Sequence, residues 1–275
     1  TGRHIVGAGR LEDSEDAGDS YDWSAGGHPV PQAAARGEKM TERVLATDER
    51  FADTDDSNRQ VYLTIEQQDD WTATVRLHIA WALPLRFDDA TQKRSEEMEW
   101  NTIDHYITLR SGHAMVEVET WVNNACEDHR LRLHVPTGVD AKKVHAGAAF
   151  DVVERPANWP HLPDWEQPHV PTHHFSDMLM VEEKGGGVAL FCPGSNEYEA
   201  MTGEGGTTLA VTLLRATGHL SRDGFASRRN RAGPVFEAPG AQCKGSHCTR
   251  WAVMAYEDSW AEANIHQVAE TYACQ

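Results

Sequence analysis

The sequence predicts a mainly β protein, a large antiparallel β-sandwich built as a single domain over residues 1–275. Apolar and polar residues alternate with a period of two in five segments between residues 61 and 136, as in strands with one buried face. No helical segment separates these five strands, so we expect a meander of antiparallel neighbours rather than a βαβ arrangement. A hydrophobic content of 40% and nine tryptophans supply enough apolar side chain for a sizeable core.

Turn residues separate the predicted strands, as at Ser111 with Gly112 and at Asn123 with Asn124. One face of each early strand carries charge, so we expect that side of the sheet to face solvent or a polar surface. The first 60 residues are polar with few apolar repeats, and a proline-rich connection occupies residues 155–175. The predicted elements are strands at residues 61–66, 72–81, 103–110, 114–122, 130–136, 178–181, 187–191, 208–214 and 250–256, and one short helix at 260–272.

Composition limits the classes of partner. The net charge is −18, from 43 acidic and 25 basic residues, and such a surface repels phosphate backbones, so we expect no nucleic-acid partner. No run of apolar residues is long enough to span a membrane. The acidity and the scarcity of lysine fit adaptation to high salt, and a genome of high GC content explains the lysine scarcity equally well.

The cysteines indicate the cellular compartment, and the first residues indicate whether the chain is part of a longer protein. Five cysteines are an odd number in a long chain, which argues against a disulfide framework and predicts a reducing, cytoplasmic location. The chain begins Thr1-Gly2-Arg3, without methionine and without a signal-peptide pattern, so we expect it to be a piece of a longer protein.

Local motifs for catalysis or metal binding are weak. Cys243 and Cys248 with His247 form one cluster, whereas zinc sites have two paired clusters, so ordinary thiols are favoured. The glycine-rich segments at residues 7–9, 185–187 and 203–206 lack the strand and helix that a phosphate loop needs, and they predict hairpin turns. Acidic pairs are so numerous that none can be singled out for glycosidase chemistry.

Four histidines cluster in the proline-rich connection: His161, His169, His173 and His174. A solvent-facing or interface loop is the favoured interpretation. The alternative is a sugar-ring or proton-transfer site like that of the aldose epimerases, which also use β-sandwiches.

Six segments occur in order along nearly the whole chain. They are residues 15–24 (EDAGDSYDWS), 130–139 (RLRLHVPTGV), 150–156 (FDVVERP), 188–199 with VALF and NEYE, 209–222 (LAVTLLRATGHLSR) and 232–243 with AGP and PGAQC. This ordered set resembles the C-terminal β-domain of glycoside hydrolase family 38, the α-mannosidase-like enzymes, in its bacterial and archaeal branch. The resemblance implies a supersandwich of the galactose-mutarotase type.

In that family an N-terminal α/β barrel holds a zinc ion and an aspartate nucleophile for retaining hydrolysis of α-mannosides. The resemblance therefore implies a chain truncated at both ends that packs on the catalytic barrel of the same parent and helps bind an α-mannoside or related carbohydrate. The zinc motif begins with His-x-Asp, which occurs nowhere in this chain. We therefore predict no catalytic residue and no metal ligand here, zinc in the missing domain, and no hydrolase activity of the isolated chain.

The resemblance also implies three substrate-binding residues. Tyr21 matches a tyrosine that reaches the mannose site, and Asp19 is expected to orient it or to accept from a sugar hydroxyl. Arg215 matches an arginine that approaches the same site. Each has a structural alternative: a packed ring, a turn residue and an ion pair. A basic patch of Arg222, Arg228, Arg229 and Arg231 predicts an interdomain contact.

Two other functions stay open. A stand-alone carbohydrate-binding module would present an aromatic platform, drawn from Trp23, Trp159 and Trp165. An aldose epimerase-like enzyme would use the histidine cluster. The leading hypothesis remains the non-catalytic β-sandwich portion of an α-mannosidase-like glycosidase.

Overall fold

The computed structural model describes residues 9–25, 58–158, 170–224, 228 and 230–274. Within these ranges no helix is long and apolar enough to cross a membrane. The strands and the helix found there are β1 (Arg10–Glu15), β2 (Arg59–Gln68), β3 (Thr72–Pro84), β4 (Phe87–Asp88), β5 (Lys93–Arg94), β6 (Met98–Arg110), β7 (Met115–Asn124), β8 (His129–Pro136), β9 (Lys143–Gly147), β10 (Val152–Pro156), β11 (Thr172–His174), β12 (Met178–Glu183), β13 (Gly186–Phe191), β14 (Glu197–Gly203), β15 (Gly206–Ala216), β16 (Gly245–Tyr256) and α1 (Ile265–Ala273).

The strands form two large antiparallel sheets and one small one. The nine-stranded sheet has the order β10-β9-β12-β13-β16-β7-β6-β3-β2, and the five-stranded sheet has the order β1-β8-β15-β14-β11. Strands β4 and β5 pair as a separate hairpin. The prediction of a mainly β, antiparallel sandwich is confirmed, and each of the nine predicted strands overlaps an observed one. The predicted helix is confirmed as α1.

The predicted five-strand meander is correct for four strands. Strands β2, β3, β6 and β7 are neighbours in the larger sheet, but β8 lies in the five-stranded sheet. Asn124 stabilises the crossing after β7, since its side-chain nitrogen donates to the carbonyl oxygens of Cys126 and Cys243, each at 3.1 Å. A period of two shows which face of a strand is buried but not which sheet it joins, so the alternation alone could not separate β8 from its neighbours.

The main core lies between the two large sheets. Leu133 and Leu209 from the five-stranded sheet pack with Leu190, Trp251 and Val253 from the nine-stranded sheet, and all are buried. Burying one such side chain contributes about 1.5–3 kcal/mol of hydrophobic stabilisation. The alternation that predicted these strands therefore reflects this core.

A second layer covers part of the outer face of the nine-stranded sheet. Ile265, Ala269 and Tyr272 of α1 pack on Met180 and Phe191. On the same face, strands β2, β3, β6 and β7 lie beyond the helix. We call this region the open face, because alternate side chains there are exposed or half-buried.

Strand register brings three distant segments together. Glu15, the last residue of β1, lies opposite His129, the first residue of β8. His129 in turn lies opposite Ala216, the last residue of β15. The residues that follow β1 and β15 therefore leave the same end of the five-stranded sheet, on either side of the start of β8.

Candidate substrate-binding loop

Residues 16–24, which we call the acidic loop, follow β1 as a compact turn. The backbone N–H of Ala17 donates to the Ser24 carbonyl at 2.8 Å, and the N–H of Asp19 donates to the Asp22 carbonyl at 3.0 Å. A Cβ atom on Gly18 would lie 2.0 Å from the Asp22 carbonyl oxygen. Only glycine therefore allows the chain to fold back this closely.

Asp19 is the centre of this loop and is completely buried. One carboxylate oxygen accepts from the backbone N–H groups of Tyr21 at 3.0 Å and Asp22 at 3.2 Å. The other accepts from the backbone N–H of Arg222 at 2.8 Å and from the Arg228 guanidinium. The carboxylate thus ties the acidic loop to the segment after β15.

Arg215 supports the loop from the end of β15. Its Nε donates to Asp16 at 2.6 Å, and its Nη2 donates to the Asp19 carbonyl oxygen at 2.5 Å. Burial raises the pKa of the Asp16 carboxyl, while Arg215 and the N–H groups of Gly18 and Ser24 act in the opposite direction. The pair fixes the loop at its first residue.

Tyr21 is the member of the predicted trio that faces outward, with 54% of its surface exposed. The Cζ atom of Arg228 lies 5.8 Å from its ring centroid, and Arg228 also pairs with Asp22. A Cβ atom on Gly233 would come within 3.0 Å of the Tyr21 hydroxyl oxygen. The ring is held beside Arg228 and Gly233 while much of its surface stays accessible.

Trp23 packs beneath the loop. Its indole N–H donates to the Glu15 carbonyl at 2.9 Å, and the Cζ atom of Arg130 lies 3.9 Å from its ring centroid. Burial, followed by the nearby Arg132 guanidinium, lowers the pKa of Arg130 to about 10, so it stays charged at neutral pH. One face of the indole is therefore occupied by Arg130.

A cleft of about 310 Å³ lies beside the loop. Arg215, Glu197 and Thr212 from the five-stranded sheet line it together with Cys248 from β16. The hydroxyl of Thr212 donates to Glu197 at 2.6 Å. The volume lies at the lower end of the range for small-molecule sites, and the polar lining suits a hydroxyl-rich ligand.

The remaining sequence predictions have mixed outcomes. The glycines at 185–187 and 203–206 form the β12–β13 and β14–β15 hairpins, as predicted, while Gly7 lies outside the described residues. His247 bonds through Nε2 to the Cys243 carbonyl oxygen at 2.7 Å. The described ranges contain no group of three or more His, Cys, Asp or Glu residues placed to hold a metal ion.

The histidine cluster and the tryptophan platform are only partly described. His173 and His174 lie in β11, where the His173 ring packs against the Tyr198 ring with centroids 5.9 Å apart. Four other predicted members lie outside the described residues: His161, His169, Trp159 and Trp165.

In the basic patch, Arg228 has a different role from its neighbours, which the sequence alone did not reveal. Arg228 is buried and binds Asp19 and Asp22, whereas Arg222 pairs with the exposed Asp89. Arg229 lies outside the described residues. The sequence gives one general indication of the ion pairs of Arg228: a buried carboxylate needs a partner of opposite charge.

Comparison with known proteins adds a family assignment. A family model described as the glycosyl hydrolases family 38 C-terminal domain matches residues 50–221. A protein of Halalkalibacterium halodurans with the provisional name mannosylglycerate hydrolase is 26% identical over 211 residues, which are 72% of this chain and 22% of that protein. The matched family residues include Arg215 but not the acidic loop.

Two solved structures share the fold. A family 38 glycosyl hydrolase from Enterococcus faecalis superposes with a TM-score of 0.73 at 23% identity, over 100% of this chain and 29% of that chain. An alpha-mannosidase from Enterococcus faecalis V583 superposes with a TM-score of 0.75 at 23% identity, over 100% of this chain and 28% of that chain. The chain thus spans less than a third of the length of these relatives.

Proposed function

The chain belongs to glycoside hydrolase family 38, whose C-terminal domain it carries, and from this premise we propose that it is the non-catalytic part of a retaining α-mannosidase-like enzyme. In this proposal the acidic loop completes the carbohydrate site of the parent enzyme. The chain packs on the catalytic barrel of the same parent, and the substrate is an α-mannoside or a related carbohydrate.

The proposal rests on one observation: Tyr21 is accessible to solvent, whereas Asp19, which anchors the acidic loop, is buried. Tyr21 is half exposed, yet the Asp19 carboxylate, which accepts from the Tyr21 backbone N–H, is buried and accepts four hydrogen bonds in all. A tyrosine offers its ring to the C–H face of a sugar and its hydroxyl to a sugar hydroxyl. A side chain held in place before binding loses little freedom on contact, which favours affinity.

We propose that Asp19 and Arg215 serve the same site mainly by positioning. Asp19 is fully buried, and Arg215 directs its guanidinium to Asp16 and to the backbone of the loop. Arg215 also lines the adjacent cleft, so part of its guanidinium can contact substrate there. This arrangement supports a wall of a binding site rather than a reacting group.

The zinc ion and the nucleophile of the family belong, in this proposal, to the parent's barrel. The described ranges provide no set of three converging zinc ligands, so the residues present do not fit the metal. The chemistry that this chain supplies is hydrogen bonding and ring stacking.

The two alternative functions have less support. One face of Trp23 is occupied by Arg130, which removes it from an exposed platform. His173 packs on a buried tyrosine of β14, a contact that gives it a structural role. The α-mannosidase-like assignment therefore remains the one that the geometry favours.

The test is a substitution at Tyr21 in the parent enzyme, assayed with an aryl α-mannoside. We expect Tyr21→Ala to lower kcat/KM about 10- to 100-fold, because a buried sugar hydroxyl loses its partner at a cost of about 1–3 kcal/mol. Tyr21→Phe should lose the hydrogen bond and keep the stacking, which gives an intermediate value.

The control is Phe150→Ala, which removes a fully exposed aromatic ring outside the loop and should leave kcat/KM unchanged. Equal kcat/KM for wild type and Tyr21→Ala would contradict the proposed contact. Cleavage of the aryl mannoside by the purified 275-residue chain would contradict its non-catalytic role.

A further inference from the structure

A row of side chains crosses the open face at one register. Tyr62 on β2 lies opposite His78 on β3, which lies opposite Asp104 on β6 and then Trp121 on β7. We call these four residues the aromatic row. Neighbouring strands are about 4.8 Å apart, so the row is about 14 Å long. That length suits an oligosaccharide of several units and exceeds a single sugar.

The two ends of the row are exposed aromatic rings. Tyr62 is 45% exposed and Trp121 is 44% exposed, although both lie within paired strands rather than at a hairpin tip. On the next register, the Arg76 guanidinium carbon lies 5.8 Å from the ring centroid of Tyr106. Each exposed ring offers an apolar face on which a ligand can stack.

Polar groups in and beside the row are already oriented. Asp104 accepts from Arg76 Nε and from His78 Nδ1, each at 2.8 Å. Although partial burial raises it, these two hydrogen bonds hold the pKa of Asp104 below its ordinary value. The Trp121 indole N–H donates to Glu119 at 2.5 Å. Such fixed donors and acceptors between aromatic rings are what sugar hydroxyls need.

We propose that the aromatic row is a second carbohydrate-binding surface, which takes an extended neutral oligosaccharide. The rings of Tyr62 and Trp121 stack on the C–H faces of separate sugar units. Between them, Asp104, His78 and Arg76 exchange hydrogen bonds with the hydroxyls. The surface is independent of the acidic loop and goes beyond the function proposed for it.

Charge and composition favour a sugar over other occupants. Asp104 forms an ion pair with Arg76, so this pair adds no net charge at the centre of the row. The overall charge of −18 disfavours nucleic acid. Protein interfaces are depleted of charged residues at their centres, whereas the centre of this row is an ionised carboxylate with two basic partners.

The test uses the 275-residue chain and an α-linked mannotetraose, with binding followed by titration calorimetry. We expect saturable binding that Trp121→Ala and Tyr62→Ala each weaken about tenfold, as expected for the loss of one stacked ring. Loss of binding in Tyr21→Ala but not in Trp121→Ala or Tyr62→Ala would assign the sugar to the acidic loop and overturn the proposal of a second surface, without bearing on the function proposed for that loop.

The matched control is Trp71→Ala, at the tip of the β2–β3 hairpin, where the indole is 74% exposed and outside the row. Absence of binding to the wild-type chain would overturn the proposal, and so would equal affinities for wild type and Trp121→Ala. Self-association of the chain that Trp121→Ala abolishes, without sugar binding, would overturn it in favour of an interface between copies.

Discussion

At the scale of single residues, His105 shows how burial in the core lowers the pKa of a titratable side chain. The Trp251 indole N–H donates to the Thr120 hydroxyl oxygen at 2.9 Å, and the same hydroxyl is hydrogen-bonded to His105 Nδ1 at 2.7 Å. Burial lowers the pKa of His105 to about 4, because a charged ring would lack solvation there.

We expect His105 to make stability fall in mild acid. The unfolded chain takes up this proton near pH 6.5 and the folded chain only near pH 4, so stability is complete above pH 6.5 and declines between those values. The full loss from this residue is about 3 kcal/mol. Denaturant unfolding at a series of pH values measures it, and His105→Gln should flatten the slope.

The exposed His113 provides the control, since His113→Gln should keep the wild-type slope. An unchanged slope in His105→Gln would show that other groups cause the acid sensitivity.

At the scale of elements, one of the ion pairs that hold the acidic loop joins the end of β15 to the first loop residue. We expect Arg215→Ala to lower the free energy of unfolding by about 3–5 kcal/mol, because the buried carboxylate of Asp16 loses its partner. Arg110→Ala breaks an exposed pair with Glu117 and should cost about 0–1 kcal/mol. Chemical unfolding of the two variants compares them, and equal losses would contradict a structural role for Arg215.

The strands that the sequence predicted are those in which apolar and polar residues alternate because one face packs in the core. Strand β1 was missed because Leu11 is its only core residue, while Asp13 pairs with His129 and Arg94 instead of packing on apolar side chains. The position of such a strand depends on partners far along the chain. The local alternation of residues does not reveal these partners.

The candidate site was predictable from the sequence only in part. Asp19, Tyr21 and Arg215 do converge, as the resemblance implied, although their contact with substrate stays a prediction. The inward position of Arg228 was not predictable, because in the sequence it is one of four arginines in a basic segment. Its two carboxylate partners lie about two hundred residues away.

At the scale of the whole molecule, the charge of −18 produces self-repulsion in the folded state. We expect 1 M NaCl at pH 7 to raise Tm, since the Debye length falls from about 10 Å at 0.1 M to about 3 Å. A gain of about 1 kcal/mol corresponds to a rise of about 2–4 °C. Thermal unfolding at both salt concentrations measures the effect.

Near pH 5.2, where the net charge of the sequence vanishes, the same salt step should change Tm little. An equal rise at both pH values would indicate that salt acts on hydration rather than on charge repulsion.

The ion pairs of the acidic loop come from the other end of the chain. Asp16 and Arg215 are separated by 199 positions, and Asp19 and Arg228 by 209. Contacts this distant close late in folding, because the entropy of closing a long loop must first be offset by other structure. During synthesis the loop therefore waits for residues up to Arg228, and Tyr21 takes its place only after these distant segments have folded together.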